Sequence, residues 1–160
     1  LRKDPMVRLL IVGDGPAKKH YQEAVRDRGL DGRVVFTGFI PDEELPQVYA
    51  ACDATVIASK FETQGLVGLE AMASGKPVAG INYRAVKELI RKGENGYVFE
   101  DDPDSCAEAM RCVLDRSEQM RWSARRYALG YSVQLSVEKL LELYEYSIER
   151  KRMVLEGKVF

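Results

Sequence analysis

The chain has 160 residues, 24 basic against 25 acidic, for a formal net charge of −1, and it is 46% hydrophobic. That length is one domain or half of a two-domain protein, and the balance is that of an ordinary globular chain rather than a fibrous or low-complexity one. Near-neutral charge argues against bulk electrostatic binding of nucleic acid, and no apolar run approaches the ~18 residues that suggest a membrane-spanning helix. The apolar run in LRKDPMVRLLIVG is too short, and too soon followed by Gly-Asp-Gly, to read as a secretory signal. Three cysteines, Cys52, Cys106 and Cys112, are too few and too oddly spaced for a disulfide framework or a zinc site. They read as small half-buried thiols.

Short apolar runs alternate with helical patterns along the chain. Residues 6–13, MVRLLIVG, read as a buried strand. Residues 16–28 read as a helix, with Pro16 in the first turn and Gly29 just past the end. Residues 33–36 are a second strand, closed by Thr37 and Gly38. Asp42 is expected to cap a helix over 43–51 that presents Leu45, Val48 and Tyr49 on one face. Residues 54–59 are a third strand, and 66–74 a helix stopped by Gly75 and Pro77. A strand at 77–81, a helix at 85–92 stopped by Gly93, and a strand at 97–100 follow. Only helices come after that, at about 103–115, 117–129 and 133–155. This order predicts an α/β fold, a Rossmann-like doubly wound parallel sheet with a helical C-terminal tail. Ligands on such sheets bind beyond the strand C-termini, here at 13–16, 37–41, 59–66, 81–84 and 100–104.

The loop after the third strand, SKFETQGLVGLEAMASGKPVAG (59–80), carries the most chemistry. Gly65 opens the helix where a ligand can approach the backbone. The first-turn N–H groups of Gln64, Gly65, Leu66 and Val67 are expected to be unsatisfied donors at the positive end of the helix dipole, a site suited to a phosphate or diphosphate. Gly68 lets the helix lie close to the sheet. Glu62 and Glu70, eight residues apart, bracket this start. A carboxylate at Glu70 can reach back to hydroxyls beside the phosphate, as an acidic residue does to a ribose diol.

These residues resemble a family. The segment from Glu62 to Glu70, with EAMASGKPV after it, is similar to the E-x7-E signature of retaining nucleotide-sugar glycosyltransferases, the group 1 class or glycosyltransferase family four, which has the GT-B fold. GDGP (13–16), VVFTGFIP (34–41), YAACDATVIAS (49–59) and VKELIRKGENGYVFEDDPDS (86–105) resemble its other segments, in the same order. The resemblance covers residues 6–115 well and the helical tail more loosely. It implies that residues 1–130 are the nucleotide-sugar-binding C-terminal domain, lacking its first strand and helix, and that 131–160 are its helical tail.

The implied activity is transfer of a sugar from a UDP-sugar, or a GDP-sugar such as GDP-mannose, to a hydroxyl acceptor that is a lipid or a glycan. Glu70 would bind the ribose hydroxyls. Glu62 would lie beside the sugar ring as the catalytic-site carboxylate. The amides from Gln64 to Val67 would hold the diphosphate. Gly13 belongs to the GDGP loop, and Gly38, Phe39 and Ile40 would border the nucleobase. No metal and no cofactor is implied. The chain departs from the family pattern at Ala58-Ser59, where Pro is common, at Gln64, where an aromatic is common, and at Asn82-Tyr83, where Gly-Gly is usual. The ETQGL form resembles members that glycosylate diacylglycerol-type lipids. Lys60 and Arg84 are candidates to touch phosphate or an anionic acceptor.

The resemblance also implies further parts: an upstream strand and helix whose loop supplies an Arg and a Lys, and an N-terminal domain with the acceptor site and a histidine. Only five residues precede the first strand read here, so the chain is expected to be a fragment that is inactive alone. His20, the only histidine, reads as a surface residue. Trp122 and Tyr127, Tyr131, Tyr144 and Tyr146 are expected in core or interdomain packing. The last helix puts Leu140, Leu141, Tyr144 and Ile148 on one face. It would cross back to the other domain or, through Arg150, Lys151 and Arg152, touch an anionic membrane peripherally. The expected location is the cytoplasm, at most at the inner face of a membrane. The rival reading is a non-catalytic Rossmann-like nucleotide-binding or assembly module. A dinucleotide oxidoreductase fits less well, because GDGPAKKH is not GxGxxG.

Overall fold

A computed structural model of the chain describes residues 4–157; the ends of the expected domain and tail, 1–3 and 158–160, lie outside the described residues. The chain divides into two compact units between Gln47 and Val48.

The first unit holds β1 (Leu9–Val12), α1 (Lys18–Asp27) and β2 (Val34–Gly38). The two strands pair in parallel, Leu9 opposite Val34 through Ile11 opposite Phe36, with a register shift before Val12 meets Gly38. The helix begins at Lys18, not at Pro16, which stays in the preceding turn. It ends as Gly29 predicts. Gly29 adopts φ +61 and its N–H reaches Arg26 O while Leu30 N–H reaches Val25 O, the paired bonds of a left-handed helix terminus. The next helix, α2 (Leu45–Ala50), is shorter than expected and crosses the unit boundary. Residues 42–44 form tight turns instead, and Asp42 contributes its backbone carbonyl to Leu45 N–H rather than a side-chain cap. Pro46 then sits in the first turn, where its missing N–H leaves no bond unmade.

The second unit holds β3 (Thr55–Ile57), α3 (Leu66–Ala73), β4 (Val78–Ile81), α4 (Arg84–Leu89), β5 (Gly96–Phe99), α5 (Pro103–Asp115), α6 (Ser117–Leu129) and α7 (Val133–Leu155). Its sheet is parallel in the order β3-β4-β5, with Ile57, Gly80 and Val98 in one row. All four residues of β4 are buried. Successive side chains point to opposite faces, so the central strand is covered on both. The core gathers Ile57, Met72, Val78, Val86, Phe99, Val113 and Met120 with small residues of α5 and α6.

Glycines set two close approaches. A Cβ on Gly68 would lie 2.3 Å from Leu89 Cδ2 and 3.1 Å from Ile57 Cδ1, so α3 packs close to β3 and α4, as Gly68 predicts. A Cβ on Gly96 would lie 2.0 Å from the Val78 carbonyl oxygen, which no other residue permits.

Helix α4 departs from the pattern by stopping at Leu89 rather than running to the glycine at 93. The cause is Asn95, 1% exposed. Its side-chain oxygen accepts from Arg91 N–H at 2.7 Å and its amide donates to Leu89 O at 3.2 Å. One buried side chain thus replaces the next turn of helix. Helix α5 starts as its sequence dictates. Asp102 caps the N–H groups of Asp104 and Ser105, with Pro103 next in line. Trp122 is 70% exposed and takes no part in this core, so of the two expectations for it only interdomain packing stays open, and α7 has no buried residue, so Leu140, Leu141, Tyr144 and Ile148 are exposed. No helix among the described residues is long and apolar enough to cross a membrane.

Candidate functional site

The parallel sheet of the second unit brings the loops after β3, β4 and β5 to one edge. The loop between β3 and α3 is the most ordered by side-chain bonds. Gly65 is the N-cap of α3 in the left-handed region, φ +73, and a Cβ there would also press to 3.3 Å on Leu89. Both facts call for glycine. The four expected free amides prove to be two. Glu62 Oε1 accepts from Gln64 N–H at 3.3 Å and from Gly65 N–H at 2.9 Å. Among the described residues the N–H groups of Leu66 and Val67 have no acceptor. The carboxylate takes the two outer donors because it lies three residues before the cap, within reach of the positive helix end.

One turn on, Glu70 projects from α3 and its Oε2 accepts from the Tyr49 hydroxyl at 3.0 Å. Tyr49 comes from the last turn of α2, with its ring packed on the core of the same unit. Burial, and then the bond to Glu70, push its phenol well above its ordinary pKa, so it stays a donor. The two carboxylates therefore share one design. Each is anchored through a single oxygen, by backbone amides at Glu62 and by a phenol at Glu70. Each keeps a second oxygen that has no partner among the described residues.

The remaining residues of this edge are less open. The Lys60 ammonium reaches across the end of β4 to pair with Asp101. Asn82 donates from its side chain to Glu100 Oε1 at 2.7 Å. Arg84 is the only non-glycine residue with positive φ among those described, at +41, and its guanidinium lies 5.2 Å over the Tyr83 ring. An open cleft of about 460 Å³ runs between the start of α3 and α4, lined by Gln64, Leu66, Ala85, Glu88, Tyr127 and Tyr131 among others. Neither Glu62 nor Glu70 lines it. Tyr127 is pushed up to about 12, by burial and then by its bond to Tyr131.

In the first unit, Gly13 and Gly38 meet at the ends of β1 and β2. Gly13 N–H donates to Gly38 O at 2.9 Å, and both have positive φ, +109 and +74. Asp14 pairs with Lys18 at 3.0 Å, and that bond holds its carboxyl below the usual range. Phe39 is 78% exposed and Ile40 partly buried, so this loop offers a bare ring and little else that is fixed. His20 is exposed, as expected. The three cysteines are free and partly buried. Among the described residues no group of three His, Cys, Asp or Glu is arranged to hold a metal ion.

An α/β unit with parallel strands and a carboxylate-bracketed helix start at the strand ends belongs to the class of folds whose strand ends and helix starts are suited to anionic ligands. The particular family follows from comparison. Residues 1–129 match the glycosyl transferases group 1, and the chain belongs to that family. It is 34% identical to a D-inositol 3-phosphate glycosyltransferase of Nocardia farcinica, over 92% of this chain and 35% of that protein. It is 32% identical to a 2-deoxystreptamine N-acetyl-D-glucosaminyltransferase of Streptomyces fradiae, over 88% and 34%. The chain thus spans about a third of the length of these curated relatives. Among solved structures it is similar to the sucrose-phosphate synthase of Thermosynechococcus elongatus, with a TM-score of 0.81 and 25% identity over 92% of this chain and 40% of that one. It is also similar to HepE of Anabaena in complex with UDP, with a TM-score of 0.71 and 27% identity over 90% and 42%. The fold is the C-terminal half of a GT-B enzyme.

Two residues escaped the sequence reading. Tyr49 appeared there only as one apolar position of a helix, and Asn95 did not appear at all. The partner of Tyr49, Glu70, lies 21 residues away and leaves no local signal, whereas Asn95 bonds to near neighbours, Arg91 N–H and Leu89 O, in an irregular turn that no periodicity marks.

Proposed function

We propose that this chain is the donor-binding half of a retaining glycosyltransferase that moves a sugar from a UDP- or GDP-sugar to a hydroxyl acceptor. The observation that carries the reading is the start of α3, where the open amides of Leu66 and Val67 stand between two carboxylates that each keep one free oxygen. The diphosphate lies on those amides at the positive helix end, with the loop from Gln64 to Val67 around it. The free oxygen of Glu70 accepts the ribose hydroxyls. The free oxygen of Glu62 accepts a sugar hydroxyl beside the anomeric carbon, while its other oxygen holds the loop. That a relative of known structure holds UDP supports this assignment.

In the transfer, the bond from the anomeric carbon to the diphosphate oxygen breaks. A bond to the acceptor oxygen forms, and the acceptor proton passes to the departing diphosphate. This half contributes by stabilising the charge that gathers on the departing diphosphate. Two amides, the helix dipole and the cations Lys60 and Arg84 supply that stabilisation, so no metal takes part. Lys60 must exchange Asp101 for phosphate to do so. The acceptor site and the catalytic partner groups belong to a second domain of the whole protein, which acts in the cytoplasm.

Titration of the chain with UDP and with GDP, by calorimetry or thermal shift, tests the reading. One diphosphate should raise the melting temperature by mass action. Glu70→Ala should abolish the rise, and EDTA should leave it unchanged. Binding that needs a divalent ion, or that survives Glu70→Ala, would sink the reading.

A further inference from the structure

We propose that Tyr49 is a positioning residue that presets the Glu70 carboxylate for reading ligand hydroxyls. The inference rests on the donor-site reading of Glu70 given above. Glu70 is an exposed glutamate on a short helix, and such a side chain samples many rotamers in water. An exposed carboxylate needs no protein partner for stability, since water satisfies it. Yet one of its oxygens is held at 3.0 Å by a phenol whose ring packs on the core.

The phenol itself is fixed from several sides. Tyr49 O accepts from Cys52 N–H at 3.1 Å, and the neighbouring Ala50 O accepts from Lys76 Nζ at 3.0 Å, tying the end of α2 to the turn after α3. The other oxygen atom near the hydroxyl, Val67 O, is at 3.5 Å, so the single phenolic proton goes to Glu70. The result is one carboxylate oxygen pinned and the other left open, one turn from the free amides of Leu66 and Val67. Holding a recognition group in its bound rotamer before the ligand arrives removes an ordering cost from binding. The gain should appear only for ligands that carry the hydroxyls.

The experiment measures affinity for UDP and GDP and for the 2′,3′-dideoxy form of each, by calorimetry, on the wild-type chain, Tyr49→Phe, Glu70→Gln and the double variant. The wild type should prefer the hydroxylated ligand. Tyr49→Phe should weaken it on the order of tenfold, about what one hydrogen bond to a charged group contributes, and leave the dideoxy ligand unchanged. Glu70→Gln should remove the preference, and adding Tyr49→Phe to it should cost nothing more. If Tyr49→Phe keeps the full preference while Glu70→Gln loses it, the tyrosine only packs, and this inference falls while the donor-site reading stands. A Tyr49→Phe protein that loses both ligands alike shows a role in folding and also overturns the inference. If the wild type does not distinguish the two ligands, or binds neither diphosphate, the donor-site reading falls and the inference with it.

Discussion

The two units carry the same kind of element, a parallel strand ending in a glycine-bearing loop, and finish it differently. In the second unit the central strand is buried on both faces and the core draws on β3, β4, β5 and the helices around them. Its loop after β3 is then fixed by side chains, Glu62 on the amides of Gln64 and Gly65, and Tyr49 on Glu70. Among the described residues of the first unit the buried hydrophobics are Leu30 and Val34, and α1 buries none of its residues. There the strand ends are joined by Gly13 N–H to Gly38 O and by Thr37 Oγ1 to Ile11 O at 3.5 Å, and Phe39 is left bare. A sheet packed on both faces gives a loop many fixed points from which to anchor charged groups. A two-stranded sheet offers few, so its loop after β1 is anchored only by near neighbours, Asp14 on Gly15 N–H and on Lys18, and not by side chains distant in the chain.

The comparison breaks most sharply at the glycines. Gly96→Ala drives a Cβ into the Val78 carbonyl and should prevent the second unit from folding, seen as loss of its cooperative thermal transition by circular dichroism. Gly15→Ala in the first unit meets open space at ordinary φ and should change stability by less than about 0.5 kcal/mol. A large effect at Gly15, or a folded Gly96→Ala protein, would reverse the contrast.

Next comes the polar core. Asn95→Ala strands the Arg91 N–H and the Leu89 carbonyl and should cost about 1–3 kcal/mol in a urea titration. An unchanged midpoint would show that the turn after α4 holds itself.

Alkaline pH should act on the second unit through its tyrosines. Tyr49 and Tyr127 keep their protons in the folded state above the ordinary phenol range, Tyr127 up to about 12. Folding therefore favours the protonated phenols, and their stabilisation is complete below the unfolded value of about 10. It is lost as pH rises from there through the folded values. Melting temperature should fall across that window, and less steeply in Tyr127→Phe. An identical pH profile in the variant would remove Tyr127 from the account.

The smallest effect belongs to the rim. Lys60 and Asp101 are both well exposed, and Lys60→Ala should cost less than about 1 kcal/mol, shrinking further at high salt. A larger, salt-resistant loss would mean that the pair organises the loops after β3 and β5.

Much of this was legible in the residues themselves. The alternation of apolar runs with helical spacing located five strands and seven helices in order, because burial and periodicity are local properties of a sequence. Gly29 and Gly75 are local chemistry as well, and they act where the sequence places them. The pair Glu62 and Glu70 stood out by spacing alone. Other features depended on how the folded chain turns side chains, near or far in sequence, onto particular groups. Helix α4 stops early because Asn95 folds back onto Leu89 and Arg91. Two of the four expected amides are taken because the loop turns Glu62 toward them. Lys60 is held by Asp101, 41 residues on, and Glu70 by Tyr49, 21 residues back. The sequence determined which backbone groups and carboxylates could form an anion site. Only the tertiary structure decided which of them remain open, because a hydrogen-bonding group is occupied or free according to what packing brings within about 3 Å of it.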